Sequence, residues 1–293
     1  MSRTRDAWRD RYAAFTARKT QLAASAALPP YVTAFDAPDP DLLAIGNDWS
    51  RALFDGPFYV SPPRDPARPA CSLVFVQSAD GNTGADDPGT LGGGDTDKHL
   101  IYEGLSRIAA DAVLAGAETV RGAEVIFSVW HPQLVALRAA MGLPRHPLQI
   151  VATMRGLVVD DVLLLNVPEV DAVVLTIASG MRLMEGALRE RPWVRPVVMD
   201  AADHLGRAFD LLRGMGTTRL SCVGGRSLAA HLLAADLVDD VYLTTAPQTG
   251  GTPGTPLFQR PWNGRAIVRK YGTGADTDVV FEHLVRGTHQ RPA

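Results

Sequence analysis

Cysteine is scarce in this chain: of 293 residues only two, Cys71 and Cys222, carry a thiol. Each lies in an apolar, strand-like run, so both are expected to be reduced packing residues suited to the cytosol. Metal and nucleophile patterns are missing too. The seven histidines show no H-E-x-x-H or Cys/His spacing, and no serine sits in a G-x-S-x-G elbow, so neither a bound metal nor a nucleophilic serine is expected. No apolar run approaches the roughly 20 residues that span a bilayer, and the N-terminus lacks the unbroken apolar core of a secretory signal. A cytoplasmic protein without a membrane partner is the expectation. Charge of one sign is also lacking: the net charge is -3 with the signs interspersed. This argues against a nucleic-acid groove and leaves a small molecule as the expected partner. Arg3, Arg5, Arg9, Arg11 and Arg18 are interrupted by Asp6 and Asp10, which fits a solvated helix better than a transit peptide.

What is present is an ordinary globular composition, 46% hydrophobic and 21% charged, with chain enough for one large domain or two small ones. Trp8, Tyr12, Phe15 and Leu22 share one helical stripe between Asp6 and Ala27, ended by Pro29 and Pro30. Leu42, Leu43, Ile45, Trp49, Leu53 and Phe54 suggest a second helix. The proline-rich run Ser61 to Pro69 reads as an extended linker. Beyond it, strands and helices alternate as in an α/β domain on a mostly parallel sheet. Strands are expected at Ser72 to Gln77, Ala112 to Ala115, Leu148 to Thr153, Ala172 to Ile177, Pro196 to Met199, Arg219 to Val223 and Val241 to Ala246. Ala266 to Tyr271 and Asp278 to Val285 come next without a helix between them, as an antiparallel hairpin. Helices are expected at Thr96 to Ala110, Gly180 to Arg189, His204 to Met215 and Ser227 to Ala235. The organisation is therefore residues 1–65 as a helical extension and linker, 66–286 as the α/β domain and 287–293 as a tail.

Three segments carry the chemistry. In Leu220 to Leu233 a strand ends on Gly224 and Gly225 and passes into a helix. Without a Cβ to hold a ligand off, and with free helical N–H groups next in the chain, this junction suits a phosphate, and Ser227 adds a hydroxyl. It equally suits a tight turn with glycine for backbone reasons. In Asp111 to Glu124 a strand meets Gly116 and then Thr119. Ligands of open α/β sheets collect outside the carboxyl ends of the strands, so the two glycine-bearing exits would face one crevice; otherwise they are unrelated turns. In Leu73 to Gly84 a strand ends in Ser78, Asp80 and Gly81, where Asp80 either reaches a ligand or closes an Asx turn.

Together these segments resemble the reductase domain of the bifunctional riboflavin-biosynthesis deaminase/reductase, a relative of dihydrofolate reductase. The resemblance covers Ser72 to about Val285. It rests on SADG at Ser78 to Gly81, DAVLAGAETV at Asp111 to Val120, PLQIVAT at Pro147 to Thr153, VGGRSL at Val223 to Leu228 and LVDDVYLTTAPQTGGTPGTPLF at Leu237 to Phe258. No deaminase-like zinc signature precedes it. The resemblance implies a dihydrofolate-reductase-like α/β fold with a mostly parallel central sheet flanked by helices, an antiparallel C-terminal hairpin and, here, an N-terminal helical extension. It also implies an NADPH-dependent reductase, usually a homodimer, that transfers hydride to a ring-opened ribosylamino imine on a pyrimidine. Gly116, Thr119, Thr153, Arg155, Gly224, Gly225, Arg226, Ser227 and Leu228 would then meet the cofactor. Arg107, a rim residue of its predicted helix, and Ser78 would meet the substrate, and Asp80 and Glu124 would orient or protonate the acceptor nitrogen.

The departures from the family pattern are as informative. Val223 stands where an acid usually precedes the paired glycines and engages the substrate ring, and its loss puts the usual substrate in question. Ala123 stands where an acid normally lies four positions past the threonine. Glu118 replaces a small residue beside Thr119; it must point away, pair with a cation such as Arg121, or weaken cofactor binding. A reductase of another heterocycle, pterin-like or specialised, and a non-catalytic ligand-binding relative are the alternative readings.

Overall fold

The computed structural model describes residues 2–85, 88–122 and 124–287; Ala123 and residues 288–293 of the predicted tail lie outside them. No described helix is long and apolar enough to cross a membrane. Both cysteines are buried and free.

Twelve strands are described, in chain order β1 (Val32–Asp36), β2 (Leu43–Ile45), β3 (Phe58–Val60), β4 (Ala70–Gln77), β5 (Ala112–Gly116), β6 (Leu148–Ala152), β7 (Ala172–Ile177), β8 (Val194–Met199), β9 (Arg219–Gly224), β10 (Asp240–Thr245), β11 (Gly264–Tyr271) and β12 (Val280–Arg286). Ten form one sheet in the order β1-β11-β12-β10-β4-β9-β5-β6-β7-β8, and β2 and β3 pair separately. The strands from β10 to β8 run parallel, while β12, β11 and β1 close one side in antiparallel pairing. From β4 the chain steps over to β5 and outward to β8. It then returns, placing β9 and β10 on the two flanks of β4, so connections leave the sheet's middle in opposite directions. Such a reversal opens a crevice at the carboxyl ends of the strands.

Buried strands read as apolar on both faces, and this sheet is covered on both. On one face Val74, Val113, Ala115, Val223 and Tyr242 pack under the N-terminal helix Ser2–Ser25, the helix Pro132–Ala140 and a helical run over residues 94–108. On the other, Leu73, Leu114 and Cys222 pack under Leu205–Gly214 and Arg226–Ala234 through Phe209, Leu212, Ala229 and Leu232.

Residues before the linker are part of this core. β1 pairs with β11 at the sheet's edge, and Phe15, Tyr31 and Phe54 join the same apolar cluster as Phe281. The expected second helix is a correction: Leu43–Ile45 is strand, and helix begins only at Asp48. The apolar spacing of Leu42 to Phe54 merges two elements that share one buried side. Asn47 separates them, since its side chain accepts from Ser50 N at 2.9 Å while Ser50 Oγ accepts from Asn47 N at 3.0 Å, a reciprocal cap. The helix Pro132–Ala140 is absent from the expected set, although proline at its first position is a start signal.

The run 94–108 also departs from expectation. Its central part, Asp97–Leu105, is of π type, between α-helical turns at Gly94–Thr96 and Ser106–Ile108. Hydrogen bonds closing five residues apart rephase the helix, which turns side chains predicted for the rim toward the core.

Candidate active site

β4 and β9 pair only from Ala70↔Arg219 to Leu73↔Cys222, yet β4 continues to Gln77 and β9 to Gly224. The sheet therefore splits at its carboxyl edge, with Ser78 just past one lip and the paired glycines ending the other. Beside the split, Ala115 of β5 lies opposite Gly224. The two glycine-bearing exits meet there: a Cβ on Gly225 would stand 3.4 Å from Cα of Gly116, and one on Gly224 would stand 3.0 Å from Thr119 Cγ2. Gly225 has φ +95°, a conformation that favours glycine. It precedes the helix Arg226–Ala234, whose N-terminus has no side-chain cap. A concave backbone surface without Cβ atoms, at an uncapped helix start, has the shape and polarity a phosphate needs.

Around this rim, Thr119 and Leu228 lie half-buried, and Leu228 Cβ is 3.5 Å from the position a Gly225 Cβ would take. Arg226 and Ser227 are exposed at the helix start, and Arg155 is exposed past the end of β6. Thr153 turns inward, its hydroxyl donating to Gly156 O at 2.9 Å. Glu118 takes the cation-pairing option, lying 3.0 Å from Arg121 Nη1 on the exposed surface.

At the other lip, Ser78 Oγ donates to Gly250 O at 2.9 Å and to Asp80 Oδ1 at 2.5 Å. Asn82 Nδ2 and Gly250 N also donate to Asp80, at 2.9 and 3.2 Å. These bonds, led by that from Ser78, hold the Asp80 carboxyl below the ordinary carboxylate range. Asp80 is thus an anion near neutral pH that knits two loops together, suited to accepting a hydrogen bond rather than giving a proton.

Two expected site residues lie elsewhere. Glu124 faces the N-terminal helix: Arg11 donates to it at 2.9 Å and Arg18 at 3.4 Å, and the Arg11 bond leads in lowering its pKa. Arg107 is not on the rim but 2% exposed. Its Nη1 donates to Ser128 O at 3.0 Å, and its guanidinium lies 4.2 Å from the centre of the Tyr102 ring. Nε and Nη2 have no hydrogen-bond partner among the described residues. Periodicity taken at α spacing puts Arg107 outside, whereas the π turns before it rotate it inward. Close by, His99 Nδ1 is 2.8 Å from Glu103, and Lys19 is 3.5 Å from the same carboxylate. Burial alone would raise the Glu103 pKa, but the His99 bond and the charges of Arg107 and Lys19 bring it below its usual value.

Sequence reasoning passes over Asp97. It is 9% exposed on the π turns, and its Oδ1 accepts from Thr244 Oγ1 on β10. Burial pushes its carboxyl up to about 7, against the Thr244 bond and with the help of Asp276. Its position at the start of a predicted amphipathic helix gives no sign of this; an aspartate there is ordinarily a solvated first-turn residue.

A split sheet with its reversal at the centre and an antiparallel hairpin beside it defines a dihydrofolate-reductase-like protein. The family model of the RibD C-terminal domain matches residues 69–266, and the chain belongs to that family. No curated protein matches the chain. Among solved structures it is similar to a pyrimidine reductase-like protein from Corynebacterium diphtheriae, with 21% identity, TM-score 0.62, and coverage of 75% of this chain and 92% of that one. It is also similar to RibD of Acinetobacter baumannii, with 16% identity, TM-score 0.59, and coverage of 75% and 58%. A third similar structure is the riboflavin biosynthesis reductase of Saccharomyces cerevisiae, with 16% identity, TM-score 0.52, and coverage of 76% and 93%. At these identities the likeness is one of fold. The chain spans little more than half of the Acinetobacter protein it matches.

Proposed function

We propose that this chain is an NADPH-dependent reductase working as a cytoplasmic homodimer, with a pyrimidine-type acceptor as the name of one structural neighbour, a pyrimidine reductase-like protein, suggests. The observation that carries the reading is the backbone contact of Gly116 with Gly225 beside an uncapped helix start. That juncture suits a dinucleotide's pyrophosphate, because the positive φ of Gly225 and the 3.4 Å approach of its would-be Cβ to Gly116 keep the surface free of a side chain there. Gly116, Thr119, Gly224, Gly225, Ser227 and Leu228 would hold the diphosphate. Arg226 and Arg155, exposed at the helix start and past the end of β6, would meet a 2′-phosphate.

When bound, the nicotinamide supplies hydride to a polarised C=N bond. The protein's part is to hold the acceptor against the split between β4 and β9, exclude water and fix the orientation. Ser78, Asp80 and Gly250 form one lip of that split, and their mutual hydrogen bonds make it rigid before any ligand arrives. An acceptor other than the phosphoribosylamino pyrimidine is the second reading, favoured by Val223 in place of an acid and by the burial of Arg107.

Fluorescence titration with NADPH and NADH tests the cofactor. Micromolar NADPH binding, about tenfold weaker for NADH, with the preference lost in the Arg155→Ala, Arg226→Ala double variant, is the expected result. No enhancement with either nucleotide overturns the proposal. Turnover of 5-amino-6-(5-phosphoribosylamino)uracil then separates the two acceptor readings.

A further inference from the structure

We infer that the N-terminal helix is a working part of this site and that Lys19 is its positioning residue, fixing through Glu103 the π turns that form the side-chain wall of the crevice. The part it plays in turnover rests on the reductase reading above. The helix, Ser2–Ser25, lies wholly outside the stretch matched by the RibD C-terminal domain, residues 69–266.

This helix is bound to the α/β domain along one side. Phe15 and Ala23 are buried in the apolar cluster over the sheet, and Phe15 meets Trp130 edge to face with ring centres 5.4 Å apart. Among the described residues, four of its cations reach acids of that domain: Arg9 to Glu169 at 3.3 Å, Arg11 and Arg18 to Glu124 at 2.9 and 3.4 Å, and Lys19 to Glu103 at 3.5 Å. In the first three pairs every side chain is at least 39% exposed, where solvent and salt leave little net attraction. In the fourth the acid is buried: the Glu103 side chain is 3% exposed and that of Lys19 29%. Removing a partner from a buried charge disturbs a structure far more than losing a surface pair.

Three groups support the Glu103 carboxylate. His99 Nδ1 lies 2.8 Å from Oε2, and the charges of Arg107 and Lys19 act on it. His99 and Arg107 belong to the same helical run and move with it. Lys19 comes from a separate element, so it is the one that ties the carboxylate to an outside reference. Burial draws the Lys19 pKa down, and the Glu103 charge is the strongest effect opposing that; each ion sustains the other.

The run Asp97–Leu105 depends on such ties. Its i→i+5 spacing is rare because an unsupported chain settles into α turns, so bonds to neighbouring elements must hold it. Asp97 is held at its start by Thr244 of β10. Tyr102, the residue before Glu103, donates to the carbonyl of Val223 beside the split at 3.4 Å, which is beyond the usual O–H···O range. That bond is too long to set the helix by itself. The Lys19–Glu103 pair on the adjacent residue supplies the hold, and with it the places of Tyr102 and of Arg107, one turn on.

The test uses the full chain as wild type, Lys19→Met, which keeps the apolar stem and drops the charge, Lys19→Arg, Glu103→Gln, and the Lys19→Met, Glu103→Gln double variant. Native-state amide exchange should be about tenfold faster across Asp97–Leu105 in Lys19→Met, unchanged at the ends of β5 and β9, and within about twofold of wild type in Lys19→Arg. The double variant should exchange no faster there than the faster single variant, because both changes break one pair. With 5-amino-6-(5-phosphoribosylamino)uracil, kcat/KM of Lys19→Met should fall about tenfold while NADPH affinity in fluorescence titration stays within about twofold, a split that a general loosening of the fold would not give. Exchange across Asp97–Leu105 as slow in Lys19→Met as in wild type overturns the assignment, as do effects that simply add in the double variant. Lys19→Arg as loose as Lys19→Met also overturns it, since shape and not charge would then be the cause. Exchange needs no turnover, so it decides Lys19 separately from the reductase reading, which the nucleotide titration judges.

Discussion

The two walls of the crevice are built in opposite ways. At the exits of β5 and β9 the surface is backbone: three glycines, an uncapped helix start and cations kept out in solvent. Across the split the surface is side chain: Asp97, Tyr31 and Arg107 are buried among apolar neighbours, with the Tyr31 hydroxyl and two guanidinium nitrogens of Arg107 lacking a hydrogen-bond partner among the described residues. Backbone amides offer the same donors to any diphosphate, so the first wall suits a component shared by many reactions. Buried side chains are costly to keep and specific in their partners, so the second suits the component that differs.

The sharpest break in this comparison is at Gly225. Valine there combines a positive φ of +95° with a side chain directed at Gly116 Cα, 3.4 Å away. NADPH affinity should drop more than 100-fold, and stability by about 2–3 kcal/mol from backbone strain and crowding. A variant that binds as wild type would show that the diphosphate does not use this wall.

Asp97→Asn should act on the second wall through stability. The folded carboxyl titrates near 7, above the unfolded value of about 3.9. Its favourable contribution is therefore complete below the unfolded value and lost as pH rises through the folded one. Relative to wild type, the asparagine variant should gain on the order of 2–4 kcal/mol between pH 4 and pH 8 in urea unfolding. A flat difference would mean that the carboxyl is solvated.

The smallest effect should come from Glu124, which belongs to neither wall. Glu124→Gln removes exposed pairs with Arg11 and Arg18, worth about 1 kcal/mol or less. Turnover should stay within about threefold; a 100-fold loss would return Glu124 to the chemistry.

The backbone wall is legible in the sequence, and the side-chain wall is not. Glycines after apolar runs signal a tight exit whatever the ligand, and alternating strands and helices place such exits at one edge, so Gly116, Gly224 and Gly225 can be read from order alone. Most strands of the parallel sheet are equally plain from their apolar runs. Asp97 and Arg107 sit on a helix whose phase depends on π turns that no residue pattern announces, and α periodicity turns Arg107 outward. The strand pairing of β1 with β11 is hidden for a different reason. An edge strand with four of its five residues exposed has no apolar run to mark it.

The wide turns of Asp97–Leu105 make this wall sensitive to length as well as to composition. Removing one residue there would let the segment relax to ordinary α spacing and swing the upstream residues by about 100° relative to the downstream ones. Asp97 and Arg107 would then no longer keep their present places relative to one another, although neither had been substituted. Insertion and deletion in this one stretch would therefore rearrange the helix face over the sheet while leaving the glycine-bearing exits of β5 and β9 as they are.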